Sequence, residues 1–277
     1  MRETKAEYLH IEKLHPFEGH PFKVADNEEM DQLVESIMAQ GVLTPLVVRP
    51  LENGEYEVIS GHRRLHACKR AGIESVPALI SNMDRDAAAI ALVDSNLHRE
   101  HILPSEKAFA YKLKMDALKH QGQTCGQVGH KSRDEISDTD SGRQIQRYIR
   151  LTYLIPELLD LVDEEKIALT PAVELSYLTD EEQYALLGSI EVEDRTPSLS
   201  QAVRFKKLSQ TGNLSDDDIE TIMQEDKANQ KPMFKVSMEK LQEIAPRVKD
   251  KDFEDFVLKA CEHYYRYLLR QRDRDSR

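Results

Sequence analysis

Apolar and polar positions in residues 28–59 follow first a helical and then a strand-like pattern. Residues 28–40 repeat apolar side chains every three or four positions, which predicts an amphipathic helix that ends at Gly41. Residues 46–49 and 55–59 are rich in β-branched or aromatic side chains and flank Asn53-Gly54, a pair typical of tight hairpin turns. The pattern therefore predicts a helix followed by a β-hairpin.

Three further elements follow before residue 100. A basic amphipathic helix over residues 62–71 ends at Gly72, a short strand covers residues 76–80, and an alanine-rich helix covers residues 86–97. Because strands and helices mix in this part of the chain, we predict one α+β domain over residues 1–100.

Helical spacing of apolar positions dominates after residue 100. The predicted helices cover residues 104–121, 132–137, 142–154, 156–162, 171–178, 181–190 and 200–209. The short pair 132–137 and 142–154, with a tight turn between its members, is typical of a helix-turn-helix. We predict an all-α helix-turn-helix domain over residues 101–210.

The last part of the chain, residues 211–277, is predicted to be a linker and a small helical C-terminal region. Residues 210–232 are polar and hold one brief helix, and two helices follow over residues 239–245 and 253–270.

The composition is that of a globular protein of about two domains. The 277 residues are 40% hydrophobic and 32% charged, and no apolar run approaches the roughly 20 residues needed to cross a bilayer. The N-terminal segment lacks the apolar core of a signal peptide. Cys68, Cys125 and Cys261 are odd in number and far apart, which argues against a disulfide framework or a zinc site. We expect a cytoplasmic protein with no membrane partner.

The net charge of −12 is concentrated in one segment. Residues 157–194 hold twelve Asp and Glu and one Lys, so the rest of the chain is close to neutral. Phosphate contacts depend on the field within a Debye length of about 8–10 Å. The acidic total therefore does not exclude DNA binding through one basic face.

A phosphate site is indicated where the strand before Ser60-Gly61 turns into the basic helix. The free backbone N–H groups at a helix N-terminus and the helix dipole attract anions, and Arg63 and Arg64 stand in that first turn. The alternative is a basic helix face that forms surface ion pairs.

A nucleic-acid reader is indicated in the second helix of the predicted pair. Arginine and glutamine side chains suit bidentate reading of guanine and adenine edges, and the helix has no acid between them. The candidate DNA contacts are Ser141, Arg143, Gln144, Arg147 and Arg150, with Lys131 and Arg133 as phosphate clamps before the first helix. Arg143 and Gln144 are expected to reach bases and Arg150 to reach phosphate. The alternative is a solvated basic face.

Three blocks together resemble the ParB family of plasmid and chromosome partition proteins. They are GHRRLHAC in the predicted turn and helix, HPFKVADNEEMDQLVESIMAQGVLTPLVVRP at residues 20–50, and SNLHREHILPSEKA at residues 95–108. The resemblance implies a ParB/sulfiredoxin-like N-terminal domain that binds CTP with Mg²⁺ and a central helix-turn-helix that reads a centromere-like site in double-stranded DNA. It also implies a homodimer, a nucleoid- or plasmid-associated location and a partner partition ATPase. Relatives stimulate that ATPase through a basic N-terminal motif, of which this chain has only Arg2.

The resemblance assigns nucleotide ligands by position. Gly61, His62, Arg63 and Arg64 match the turn that contacts the triphosphate, although His62 stands where the family has an acid and its side chain is expected to face solvent. Thr44 stands where relatives place a polar residue near the base, with a plain turn before a proline as the alternative.

The block at residues 95–99 resembles the family's Glu-Asn-Leu-Gln-Arg. Asn96 and Arg99 match as ligands for the triphosphate and metal, whereas the family's glutamate is Ser95 here. Asp94, one place earlier, is either a substitute Mg²⁺ ligand or a surface residue. Without that glutamate any CTP hydrolysis is expected to be weak, and no catalytic residue is assigned.

Two other classes of function compete with partition. Sulfiredoxin is an enzyme with a similar N-terminal fold, but it needs a cysteine beside the phosphate-binding turn, and the nearest cysteine here is Cys68, further down the helix. A transcriptional regulator or nucleoid-occlusion-type relative would use the same modules at scattered DNA sites.

Overall fold

The fold is described from a computed structural model that covers residues 6–99, 101–120, 140–225, 242, 244–245, 248 and 253–275. The chain divides into two compact units, Met1–Glu225 and Asp226–Arg277. The boundaries predicted at residues 100 and 210 both fall inside the first unit, and they stay predictions.

A five-stranded mixed sheet with the order β1-β5-β3-β4-β2 organises the N-terminal region. β3 and β4 pair antiparallel around Asn53-Gly54, as the hairpin pattern predicts. The outer pairs, β1 with β5 and β2 with β4, involve strands of four and three residues that are too short for a periodic signal. The strands are β1 Glu7–His10, β2 Leu14–Pro16, β3 Leu46–Pro50, β4 Tyr56–Ser60 and β5 Ser75–Ile80.

Helices cover both faces of this sheet because neighbouring strand residues point to opposite sides. Val58 belongs to the apolar cluster shared with the first two helices, and Ile59 to the cluster shared with the third and fourth. These helices are α1 Glu28–Gln40, α2 His62–Arg70, α3 Arg85–Asn96 and α4 Pro104–His120. The α+β prediction for the N-terminal region is confirmed.

The described residues of the first unit that follow α4, residues 140–225, are mainly helical. Its helices are α5 Gly142–Leu151, α6 Pro156–Asp163, α7 Leu169–Leu175, α8 Asp180–Glu193, α9 Leu199–Gln210 and α10 Asp216–Gln224. α5 ends at Leu151 because residues 152–154 turn toward α6, whereas the pattern predicted residue 154. The predicted helix over residues 132–137 lies outside the described residues.

The brief helix predicted inside the linker is α10, and it packs into the core. Ile219, Ile222 and Met223 are buried in the same apolar cluster as Leu186 of α8 and Phe205 of α9. Residues 216–224 of the polar stretch therefore belong to the folded first unit and not to a linker.

The second unit contains α11, Phe253–Asp275, which extends past the predicted end at residue 270. None of the described helices is both long enough and apolar enough to cross a membrane.

Candidate functional site

A cavity of about 210 Å³ lies where β4 passes into α2. It is lined by six of the seven residues predicted to bind nucleotide, which come from two distant parts of the sequence: Gly61, His62, Arg63, Arg64, Asn96 and Arg99. The structure therefore joins the turn before α2 to the end of α3 in one site.

Gly61 shapes the floor of this cavity. It caps the N-terminus of α2 with φ +105, a conformation that favours glycine, and no side chain caps this end of the helix. A Cβ at this position would lie 3.0 Å from Leu46 Cγ and 3.1 Å from Arg64 Nη2. The positive end of the α2 dipole consequently faces the cavity without a competing side-chain cap.

The two arginines of the α2 first turn have separate partners. Arg64 Nη1 donates to the carbonyl oxygens of Thr44 and Pro45, the latter at 2.8 Å, and burial lowers the pKa of the Arg64 guanidinium. Arg63 Nη2 donates to Glu29 Oε2 on α1 at 3.0 Å. Arg64 thus holds the loop before β3 against α2, and Thr44, which is exposed and does not line the cavity, enters the site only through its carbonyl group.

The side chain of His62 does not face solvent, contrary to expectation. Its ring lies 3.8 Å from the ring of His20, and the backbone N–H of Phe17 donates to its Nε2 at 3.5 Å. Burial, followed by the charge of His20, lowers the pKa of His62 to about 3. His62 is therefore a neutral wall of the cavity at physiological pH.

The opposite wall comes from the end of α3. Asn96 Nδ2 and Ser95 Oγ both donate to the carbonyl oxygen of Leu92, and the Arg99 backbone N–H donates to that of Asn96. These bonds set the turn that brings Arg99 to the cavity.

Asp94 is not brought into the cavity. Its Oδ1 accepts a hydrogen bond from Lys114 Nζ on α4 at 2.5 Å. Among the described lining residues there is no carboxylate, and no cluster of three or more His, Cys, Asp or Glu in the described chain could hold a metal. The Mg²⁺ role of Asp94 stays a prediction without support from this geometry.

Sequence reasoning assigned no role to two ionisable residues of this site, His20 and Lys23. Lys23 lines the cavity, and its Nζ lies 3.6 Å from both Asp160 Oδ1 and Asp163 Oδ2 of α6. Both residues lie in the 20–50 block of the resemblance, which is the signal that could have identified them.

A second surface candidate is α5. Ser141 caps this helix, its Oγ accepting from the Gln144 backbone N–H at 3.3 Å, so its hydroxyl has a structural use. Arg143 is exposed in the first turn and has no partner among the described residues. Arg147 donates to Gln144 Oε1 at 3.2 Å and to Thr170 Oγ1 at 2.5 Å.

Arg150 is engaged with the protein itself. Its Nε and Nη2 donate to Ser176 Oγ and O at 3.1 and 2.7 Å, and its guanidinium lies 4.4 and 4.0 Å from the ring centroids of Tyr153 and Tyr177. The predicted phosphate contact of Arg150 would have to compete with these interactions. Lys131 and Arg133 lie outside the described residues.

The family model of the ParB N-terminal domain matches residues 1–97, the stretch that carries the sheet, α1, α2 and α3. The N-terminal region is a ParB N-terminal domain. In this ParB domain the cavity joins the turn at Gly61–Arg64 to the end of the block at Arg99.

Curated relatives match about half of this chain. A nucleoid occlusion protein of Listeria monocytogenes serotype 4a is 36% identical over 135 residues, which cover 48% of this chain and 47% of that protein. The chromosome-partitioning protein Spo0J of Thermus thermophilus is 33% identical over 160 residues, or 57% and 55%. The chain spans about half the length of these curated relatives.

A solved structure is also similar. The C-terminally truncated ParB of Caulobacter crescentus complexed to the centromeric parS site is 22% identical and matches over 78% of this chain and 98% of that chain, with a TM-score of 0.42.

The described residues that line the cavity include no cysteine. Cys68 of α2 is buried in the core, and burial raises the pKa of its thiol. Because a thiolate is the nucleophilic form, this residue is unsuited to sulfiredoxin-type chemistry.

Proposed function

We propose that this protein is a ParB-like DNA-binding protein for plasmid or chromosome segregation. It binds CTP with Mg²⁺ in the N-terminal cavity and a centromere-like site in double-stranded DNA through α5. The observation that carries the proposal is the convergence of Gly61–Arg64 with Asn96 and Arg99 on one cavity of a ParB N-terminal domain.

The cavity suits a triphosphate. The N-terminus of α2 supplies backbone N–H groups and a positive dipole end, and four cationic side chains line the walls: Lys23, Arg63, Arg64 and Arg99. Arg99 has no ion-pair partner among the described residues, which leaves its guanidinium available to phosphate.

Mg²⁺ would depend mainly on the phosphates. This ion prefers oxygen ligands and is commonly held by one or two protein groups together with substrate phosphates. The described lining residues offer only neutral oxygens, on Ser60, Ser95 and Asn96. The position of the family's glutamate is Ser95, so the described site has no carboxylate to support hydrolysis of CTP.

Replacing Arg99 with alanine is expected to weaken CTP binding about ten- to a hundredfold. The reason is the loss of a charge-assisted contact to phosphate, which is worth roughly 1.5–3 kcal/mol. Isothermal calorimetry with CTP, ATP and GTP in the presence of Mg²⁺ measures the effect and the preference for CTP.

The control for Arg99 is Arg85→Ala. Arg85 is exposed on α3, pairs with Glu18 at 2.7 Å and does not line the cavity. Its loss should leave CTP affinity unchanged. Equal affinities of the wild type and Arg99→Ala would remove the basis for the nucleotide site.

Support for the DNA site comes from the first turn of α5. Residues at the N-terminal end of a recognition helix reach base edges in the major groove, and Arg143 and Gln144 occupy that end. Arg143→Ala is expected to narrow the ratio of cognate to scrambled DNA affinity roughly 5- to 150-fold, the equivalent of about 1–3 kcal/mol for one bidentate base contact. The cognate duplex is selected from random duplexes with the wild-type protein, and both affinities are measured by titration.

Arg204→Ala is the control for the DNA measurement. Arg204 is an exposed arginine of α9 that pairs with Glu225 at 2.5 Å, so the change removes the same charge from another surface. A specificity ratio that falls equally in both variants, or a selection that enriches no sequence, would contradict reading by α5.

Nucleoid occlusion is the second candidate function because proteins of that name are among the matches. The two functions share the DNA-binding and nucleotide-binding modules and differ in where the DNA sites lie, which mapping of bound sites on the genome would show.

The proposal also includes a homodimer, a cytoplasmic location associated with the nucleoid or a plasmid, and a partition ATPase as partner. α11 supports the dimer with several exposed large apolar side chains: Phe256, Leu258, Tyr264, Tyr265 and Tyr267.

A further inference from the structure

His20 is placed inside the cavity by its surroundings. The centroid of its ring lies 3.8 Å from that of His62, with the two rings tilted by 45°, and 5.7 Å from that of Phe22 in an edge arrangement, so two aromatic neighbours hold it beside the N-terminus of α2. His20 lies in the loop before α1, and it lines the same cavity as Arg63 and Arg99.

The cations of the cavity are largely engaged already. Arg63 pairs with Glu29, Lys23 with Asp160 and Asp163, and Arg64 donates to two backbone carbonyl groups. Arg99 alone among the four cavity cations has no acidic or carbonyl partner for its side chain in the described chain. A triphosphate brings several negative charges, so the positive charge left for it is small.

We propose that His20 is a ligand of the bound triphosphate and takes up one proton from solvent when the triphosphate enters. The inference rests on the proposed nucleotide site. The protonated imidazole donates a hydrogen bond to a phosphate oxygen, and its charge supplies part of what the engaged cations lack.

The groups that face His20 determine the direction in which its pKa shifts. Burial, and then the charge of Arg99, lower the pKa of His20, while the carbonyl group of Phe22 acts the other way. The remaining charged neighbours in the cavity are Lys23, Arg63 and Arg64, and His62 stays neutral because burial, followed by the charge of His20, lowers its pKa. His20 is therefore neutral in the empty cavity at neutral pH, and a bound anion raises its pKa.

Proton uptake by His20 makes the affinity for a triphosphate depend on pH in one direction. Between the pKa of His20 without ligand and its higher pKa with ligand, the complex holds more protons than the free protein. Affinity for a triphosphate consequently rises as pH falls through that window, by at most about tenfold per pH unit for one proton.

Calorimetry in buffers of different ionisation enthalpy measures the proton uptake directly. CTP and inorganic tripolyphosphate are titrated, with Mg²⁺ throughout, between about pH 6 and about pH 8, the range in which a histidine titrates. The proteins are the wild type, His20→Gln and the control His66→Gln, which removes an exposed histidine of α2 that pairs with Asp26 at 2.9 Å. Protonation of the ligand itself is the same for all three proteins, so the difference between them isolates His20.

The wild type and His66→Gln are expected to take up a fraction of a proton more than His20→Gln, and to gain more affinity on acidification. Equal uptake in all three proteins with binding intact would overturn the role of His20. Should His20→Gln not fold, the NMR titration of the wild-type ring decides, since its pKa must rise on adding tripolyphosphate.

The two ligands separate this inference from the proposed function. Tripolyphosphate binding with proton uptake but without any preference for CTP would support His20 and contradict the CTP site. The absence of binding by either ligand to the wild type would overturn both.

Discussion

Gly61→Ala is expected to lower the free energy of unfolding of the first unit by about 2–6 kcal/mol and to abolish CTP binding. Alanine at φ +105 is strained by about 1–3 kcal/mol, and its Cβ adds overpacking of typically 1–3 kcal/mol against Leu46 Cγ at 3.0 Å. Any relief moves the first turn of α2 away from the position that presents its N–H groups to the cavity. Urea unfolding and CTP calorimetry measure the two effects.

Gly54→Ala separates the energetic cost of backbone strain from that of the new Cβ contact. Gly54 also has a positive φ, +81, but a Cβ there would meet nothing within 4 Å. This hairpin variant should lose only the contribution of backbone strain, about 1–3 kcal/mol, and bind CTP as the wild type does. Equal losses in both variants would mean that the close approach of Gly61 to Leu46 has no energetic consequence.

Gln183→Ala is expected to lower the stability of the helical region by about 3–5 kcal/mol and DNA affinity with it. Gln183 is fully buried in α8, and its Oε1 accepts from the Ile155 backbone N–H at 2.8 Å. Its Nε2 donates to the carbonyl oxygens of Tyr153 and Leu178 at 3.0 and 3.1 Å. Truncation leaves three backbone groups without hydrogen-bond partners and opens a cavity in the core. Each of these two changes lowers the free energy of unfolding by up to several kcal/mol.

The expected loss of DNA affinity arises at the two turns that Gln183 connects. Tyr153 follows α5 and Leu178 follows Tyr177, and the two tyrosines enclose Arg150. Loosening these turns should let the C-terminal end of α5 move, which would displace the helix that we propose reads DNA. Thermal unfolding and DNA titration of the variant test both parts.

Two control variants test whether the lost hydrogen bonds cause the loss of stability. Gln183→Met keeps the volume and removes the hydrogen bonds, so its stability should fall between those of the wild type and Gln183→Ala. Gln146→Ala, on half-buried α5 surface, removes only a 3.8 Å contact to Met115 Sδ and should change stability by less than about 0.5 kcal/mol. A Gln183→Met protein as stable as the wild type would show that the three hydrogen bonds contribute nothing.

Local pattern was sufficient for the long elements and for the hairpin. α1 begins and ends where the apolar period and Gly41 predict, and β3 and β4 meet at Asn53-Gly54, because capping, periodicity and turn chemistry act over a few residues. β1 and β2 were not predicted from the sequence. Strands of four and three residues carry too little periodicity, and they exist because the partners β5 and β4 offer free edges.

A ParB N-terminal domain and the residue types that can contact phosphate were predictable from local sequence. Which of those residues are available depends on how the elements pack. Arg64 and Arg150 carry the same charge as Arg99 and Arg143, yet carbonyl groups, Ser176 and tyrosine rings hold the first two. His20 and His62 meet although they are far apart in sequence. Such pairings depend on distances of a few ångströms between elements, and those distances arise only when the whole core packs.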